Sequence, residues 1–121
     1  TKGNFINLNK IDELFPNFDL IKVKNILEEI FQKHNYRARE ETFPMMMIHV
    51  GVSIQRMMDC NYVETRRCSS EIKDTLEYKI ATEFLTRVRG VFSFEINENE
   101  VVLFANLLLG RQRRMRYKKK D

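Results

Sequence analysis

Apolar residues recur through most of this chain at the three- and four-residue spacing of amphipathic helices. The clearest case is a helix predicted from Asp19 to His34, where charged side chains occupy the remaining positions. Its apolar stripe consists of Leu20, Val23, Ile26, Leu27, Ile30 and Phe31. A short helix over Leu8–Leu14 fits the pattern less well, and residues 35–42 interrupt it as a loop.

A second helix is predicted from Phe43 to Asp59, with Pro44 in the first turn, where proline is tolerated. This segment is apolar nearly all round, which is typical of a helix that is buried centrally or shared with a partner subunit. The run Met45–Met47 is interpreted as core filling, because methionine packs well into irregular gaps.

A third helix is predicted after a polar loop at residues 60–70. It runs from Glu71 to Arg89 with one apolar face, and Gly90 is expected to end it. Residues 91–96 alternate between apolar and polar side chains and are expected to form an extended connector.

The fourth clear helix is predicted from Glu98 to Leu109, with Gly110 closing it. Asn97 and Glu100 have the spacing of a capping box at its start. Four amphipathic or buried helices and the short N-terminal one predict an all-α fold, a compact bundle of about five helices.

Composition is consistent with one folded domain. The chain has 121 residues, of which 43% are apolar and 31% charged. No apolar run approaches the roughly 18 residues of a membrane-spanning helix, and the N-terminus shows neither an initiator Met nor a signal-peptide pattern. We therefore expect a cytoplasmic protein without membrane contact, and take the chain as a fragment of a longer one.

Positive charge is concentrated at the C-terminus. Seven of the 21 Lys/Arg residues but only one of the 17 acids lie within residues 111–121, so this segment carries +6 and the rest −2. The predicted organisation is a lead-in or linker at 1–17, a helical domain at 18–110 and a basic tail or linker at 111–121. Basic clusters bind nucleic-acid phosphates nonspecifically, so a nucleic-acid-binding module using this tail is the alternative to a solvated linker.

Few residues of catalytic or metal-binding type are present. Two cysteines, Cys60 and Cys68, make neither a disulfide framework nor a zinc site. The four glycines are scattered, so no phosphate-binding loop is formed. We predict that the protein is not an enzyme and holds no metal or cofactor.

Only two histidines occur, and they differ in setting. His34 lies at the end of a helix, where a solvated side chain is expected. His49 lies within the second helix and shares a face with Ser53 and Arg56. The pattern leaves two interpretations open, a structural histidine and a phosphoryl acceptor with Arg56 and Ser53 supporting the phosphate. A neutral imidazole at cytoplasmic pH is a competent nucleophile for the second role.

Three segments resemble the phosphotransferase-system regulation domain (PRD) of bacterial antiterminators and transcription activators. Ile48–Arg56 is similar to the family's helix of pattern His-apolar-small-apolar-x-Ile-x-Arg. Glu77–Phe84 resembles its Glu-x-x-Ile-Ala-x-x-Phe segment, and Phe92–Val101 its apolar connector before an acidic helix start. Their order and spacing agree across about residues 18–110.

The resemblance implies an all-helical, homodimeric domain phosphorylated on histidine by the phosphocarrier HPr or a sugar-specific IIB component of the phosphotransferase system. His49 matches the first phosphoacceptor. The second family position falls on Leu107, so this chain carries at most one of the two sites. The implied function is control of a transcription regulator by sugar supply, with nucleic acid bound through other domains of the parent protein. A purely structural dimerisation domain stays the alternative.

Overall fold

Five α-helices make up the fold in the computed structural model, which describes residues 8–61 and 71–111. They are α1 (Leu8–Asp12), α2 (Leu20–Lys33), α3 (Phe43–Met58), α4 (Leu76–Phe92) and α5 (Glu98–Arg111). Single 3-10 turns, Glu40–Thr42 and Ile72–Asp74, precede α3 and α4. The predicted all-α bundle of about five helices is confirmed.

The helix α2 lies where the apolar spacing predicted it. Asp19 caps its N-terminus, with the carboxylate accepting hydrogen bonds from the backbone N–H groups of Ile21 (3.1 Å) and Lys22 (3.2 Å). His34 is the C-cap residue. All six positions of the predicted stripe are buried, so the periodicity identified the core-facing side of this helix.

The helix α3 is buried on most of its circumference but not on all of it. Met46, Met47, Val50, Ile54 and Met57 are core residues, which matches the prediction of a largely buried helix. Another face remains open, because three neighbouring side chains on it are exposed: Met45, His49 and Val52. One side of the central apolar helix is therefore left for solvent or for a partner.

The helix α4 differs from its prediction at both ends. It begins at Leu76 and not at Glu71, because Thr75 adopts an extended conformation and its hydroxyl accepts the N–H of Tyr78 at 3.1 Å. It also continues through Gly90 to Phe92 and ends at Ser93, whose φ is 54°. Glycine costs only about 1 kcal/mol relative to alanine within a helix, and burial elsewhere on α4 offsets that cost.

The helix α5 begins at Glu98 as predicted. The Asn97 side chain accepts the N–H of Asn99 at 2.8 Å, and the Asn97 carbonyl accepts that of Glu100 at 2.9 Å. The C-terminal end was predicted wrongly, because the helix passes through Gly110 to Arg111. A glycine inside a helix is not by itself a stop signal.

The core joins all five helices. The most extensive contact is between α4 and α5, and α2 packs against α4. The helix α1 covers α2 and α3, and the segment predicted as a lead-in contributes Ile11 and Phe15 to the core. Phe15 stacks on Phe18, which meets Phe92 edge-on. The division of the chain after residues 17 and 110 stays a prediction.

Two of the predicted segments lie mainly outside the described residues. These are the polar loop at 60–70, which includes Cys68, and the basic tail at 111–121. Within the described ranges, no helix has both the length and the apolar character needed to cross a membrane.

Helices α2 and α4 are also joined at the surface by charged side chains. Glu83 lies 2.9 Å from Nε2 of His34 and 2.7 Å from Nζ of Lys33. The hydrogen bond from His34, followed by the one from Lys33, holds the pKa of Glu83 below its ordinary value. His34 therefore has a partner on α4 and is less solvated than its sequence position suggested.

Glu83→Gln is expected to remove a pH-dependent part of the stability. A carboxylate whose pKa is lowered by folding stabilises the fold above its unfolded-state pKa, and this contribution disappears as pH falls through the lower folded-state pKa. Wild type should therefore be more stable than the variant at pH 7, and the difference should shrink below about pH 4. Urea unfolding at both pH values measures it. Glu95→Gln, at an exposed carboxylate before α5, is the control and should show no such trend.

Candidate functional site

A cavity of about 520 Å³ opens between α3 and α5. Its lining is mostly apolar, with a polar end formed by residues of both helices. The lining residues are His49, Val50, Ser53, Arg56, Glu100, Leu103, Phe104, Asn106 and Leu107. The residues that sequence analysis assigned to one face of α3 therefore meet the α5 side chains around one space.

His49 lines this cavity with an exposed side chain. Within the described ranges, no hydrogen bond or ion pair involves its ring. The exposed ring of His49 can therefore be reached by a second protein molecule.

Ser53 and Arg56 converge on one carboxylate from α5, that of Glu100. The Ser53 hydroxyl donates to Glu100 Oε1 at 2.7 Å. The Arg56 guanidinium donates from Nε to Oε2 at 2.8 Å and from Nη2 to Oε1 at 2.9 Å. This bidentate geometry matches the planar guanidinium to the planar carboxylate.

Burial makes this cluster different from a surface ion pair. Glu100 is fully buried, at 0% exposure, whereas the Arg56 side chain is 28% exposed. The hydrogen bonds to Glu100 raise the pKa of Arg56, against a smaller lowering by desolvation. A buried carboxylate is costly unless it is paired and hydrogen-bonded, and Ser53 and Arg56 provide both.

Glu100 was predicted to belong to a helix cap and not to the site. Ser53 and Arg56, expected to support a phosphate on His49, are hydrogen-bonded to Glu100 in the unmodified protein. Leu107, the position matching the second family site, is partly buried and lines the same cavity as His49. The one sequence feature that could have identified Glu100 is its position as an acidic residue at the start of an apolar helix.

Other kinds of site find little support in the part of the chain that the structure describes. No three His, Cys, Asp or Glu side chains there are grouped to hold a metal ion. Cys60 is a free, exposed thiol.

Comparison with known families assigns the chain. The sequence model of the PRD domain family matches residues 24–111. This range covers most of α2 and all of α3, α4 and α5. This is well over half of the chain, so the protein belongs to the PRD domain family. The family consists of regulatory domains controlled by the sugar phosphotransferase system. Searches of curated proteins and of solved structures found no match.

Proposed function

We propose that this chain is the regulatory domain of a bacterial transcription regulator and that His49 is its phosphoacceptor. HPr or a IIB component of the phosphotransferase system is the phosphoryl donor. The observation that carries the proposal is the exposed His49 ring, unpaired within the described residues, on a cavity that also holds a hydroxyl and a guanidinium.

The transfer requires a neutral imidazole. A ring nitrogen of His49 attacks the phosphorus of the donor's phosphorylated residue, a new N–P bond forms and the donor's bond to phosphorus breaks. The electron pair of the broken bond returns to the donor, and the modified ring can release its remaining N–H proton. The domain then carries about two additional negative charges on α3.

Dimerisation is the means by which this charge would act. Met45 and Val52 flank His49 on the open face of α3 and are 43% and 38% exposed. An exposed apolar face is a suitable surface for a second copy of the chain. A phosphate placed on such a surface changes the stability of the dimer, because it must be desolvated or paired with a cation. Nucleic acid is bound by other domains of the parent protein.

His49→Gln is expected to abolish phosphorylation. The domain is incubated with phosphoenolpyruvate, enzyme I and HPr, with and without a IIB component, and its intact mass is measured. Wild type should gain one phosphate and His49→Gln none. The matched control is His34→Gln, which changes the second of the two histidines and should retain the phosphate. A phosphate that persists in His49→Gln contradicts the proposal.

Sedimentation of the phosphorylated and unmodified forms over a range of concentrations then tests the dimer. The proposal requires the dimer dissociation constant to change on phosphorylation in wild type. It also requires the His49→Gln protein to show no change under the same treatment.

A further inference from the structure

We propose that Glu100 occupies an anion-binding site on α3 that a phosphoryl group on His49 competes for. This inference rests on the proposed function. The site consists of the Ser53 hydroxyl and the Arg56 guanidinium, and the Glu100 carboxylate fills it in the unmodified protein. Phosphorylation of His49 therefore draws Arg56 away from Glu100 and loosens the contact between α3 and α5.

Geometry places the competing groups together. Ser53 and Arg56 follow His49 by four and seven residues, which puts all three on one face of α3. The same three residues and Glu100 line one cavity. Long side chains on a helix lean toward the helix N-terminus, and His49 lies on that side of Arg56 in α3.

The charges around the cavity favour exchange. Among the residues that line the cavity, Arg56 carries the positive charge of a basic side chain and Glu100 the negative charge of a carboxylate. Before modification these two charges are equal and opposite. A phosphoryl group adds close to two negative charges, and phosphate is a strong bidentate ligand for arginine. Three negative charges then face one guanidinium, and the more highly charged and more exposed group gains it.

The consequence is local because α5 has other attachments. It packs most extensively on α4, and Glu98 in its first turn bonds Lys73 at 3.1 Å and Tyr78 at 3.0 Å. Release of Glu100 therefore leaves α5 on α4 while its contact with α3 weakens. A buried carboxylate that loses two hydrogen bonds and the charge of a guanidinium is less stable, so the start of α5 opens more often.

Hydrogen–deuterium exchange with mass spectrometry measures this opening. The full chain is compared with and without phosphate on His49, in peptides covering residues 97–104 and, as an internal control, residues 20–33. Phosphorylation of wild type should speed exchange in residues 97–104 about tenfold, the factor that corresponds to losing about 1.4 kcal/mol of local stability. Exchange in residues 20–33 should not change.

In the Glu100→Gln variant, phosphorylation is expected to change hydrogen exchange in the opposite direction. Without the carboxylate, Arg56 lacks its counter-charge, and residues 97–104 should exchange faster before any modification. Phosphorylation then supplies an anion for Arg56, and exchange at the cavity should slow. Equal effects of phosphate in wild type and Glu100→Gln would overturn the inference, as would no effect in wild type.

Chemical phosphorylation with potassium phosphoramidate keeps this test independent of the protein donors, with the modified histidine confirmed by peptide mass. In one outcome, HPr and IIB fail to transfer phosphate while the phosphoramidate-treated protein shows the predicted exchange pattern. That result would contradict the proposed donors and support the competition between phosphate and Glu100. Enzymatic transfer to His49 with no change of exchange in residues 97–104 would support the proposed donors and contradict the competition between phosphate and Glu100.

Discussion

Arg56→Met is expected to lower the free energy of unfolding by about 3–5 kcal/mol, the usual cost of breaking a buried ion pair from one side. Glu100 is fully buried and takes two of its hydrogen bonds from the Arg56 guanidinium. Methionine keeps much of the side-chain volume but removes the guanidinium charge and both of its hydrogen bonds to the carboxylate. Urea unfolding at pH 7 measures the change.

The double variant Arg56→Met/Glu100→Gln separates the effect of losing the Arg56–Glu100 ion pair from the effect of lost packing. Removing the charge as well as its partner should restore most of the stability, since a buried pair can be replaced at little net cost. A single variant within about 1 kcal/mol of wild type, the range of an exposed pair, would show that the ion pair is solvated. Equal losses in the single and double variants would assign the effect to packing.

Gly51→Leu is expected to cost about 3 kcal/mol, comparable to expelling a phenylalanine from the core. A Cβ atom at Gly51 would come within 2.5–2.8 Å of three ring atoms of Phe15. The ring is 7% exposed and stacks on Phe18, so it cannot move aside without losing that contact. Thermal and urea unfolding should both register the loss.

Gly90→Leu provides a matched control on α4. Gly90 is exposed, lies within the helix, and has no atom within 4 Å of the added Cβ. Leucine there should raise stability by about 0.5–1 kcal/mol through helix propensity. Phe15→Ala combined with Gly51→Leu should cost less than the two single changes added together, because both act on one space. If leucine changed the free energy of unfolding similarly at positions 51 and 90, the close approach of Gly51 to the Phe15 ring would be contradicted.

The spacing of apolar residues predicted which segments form helices, but it did not predict where several of those helices begin and end. The six-residue stripe of α2 identified both its extent and its buried side, since burial on one face is what the spacing encodes. The start of α4 was predicted wrongly because Ile72 belongs to a separate turn, yet its spacing also continues the helical pattern. Gly90 and Gly110 were taken as stops, but glycine ends a helix only where the backbone turns away.

The candidate site was predicted in part. Local spacing placed His49, Ser53 and Arg56 on one face, because that relation depends only on helix geometry. Glu100 was missed, since it lies 44 residues from Arg56 in sequence and its position also fitted a helix cap. The presence of Leu107 in the same cavity depends on how α5 packs on α3, which no local pattern encodes.

The order in which the bundle assembles follows from the separation of its contacts along the chain. Helices α4 and α5 are neighbours in sequence and share the largest contact, so their pairing closes a short loop at low entropic cost. The contact between Arg56 and Glu100 closes a much longer loop, so we expect it to form in a later step. Loss of this ion pair should then speed unfolding more than it slows folding. We therefore expect the helix that carries His49 to join an α4–α5 hairpin that has already formed.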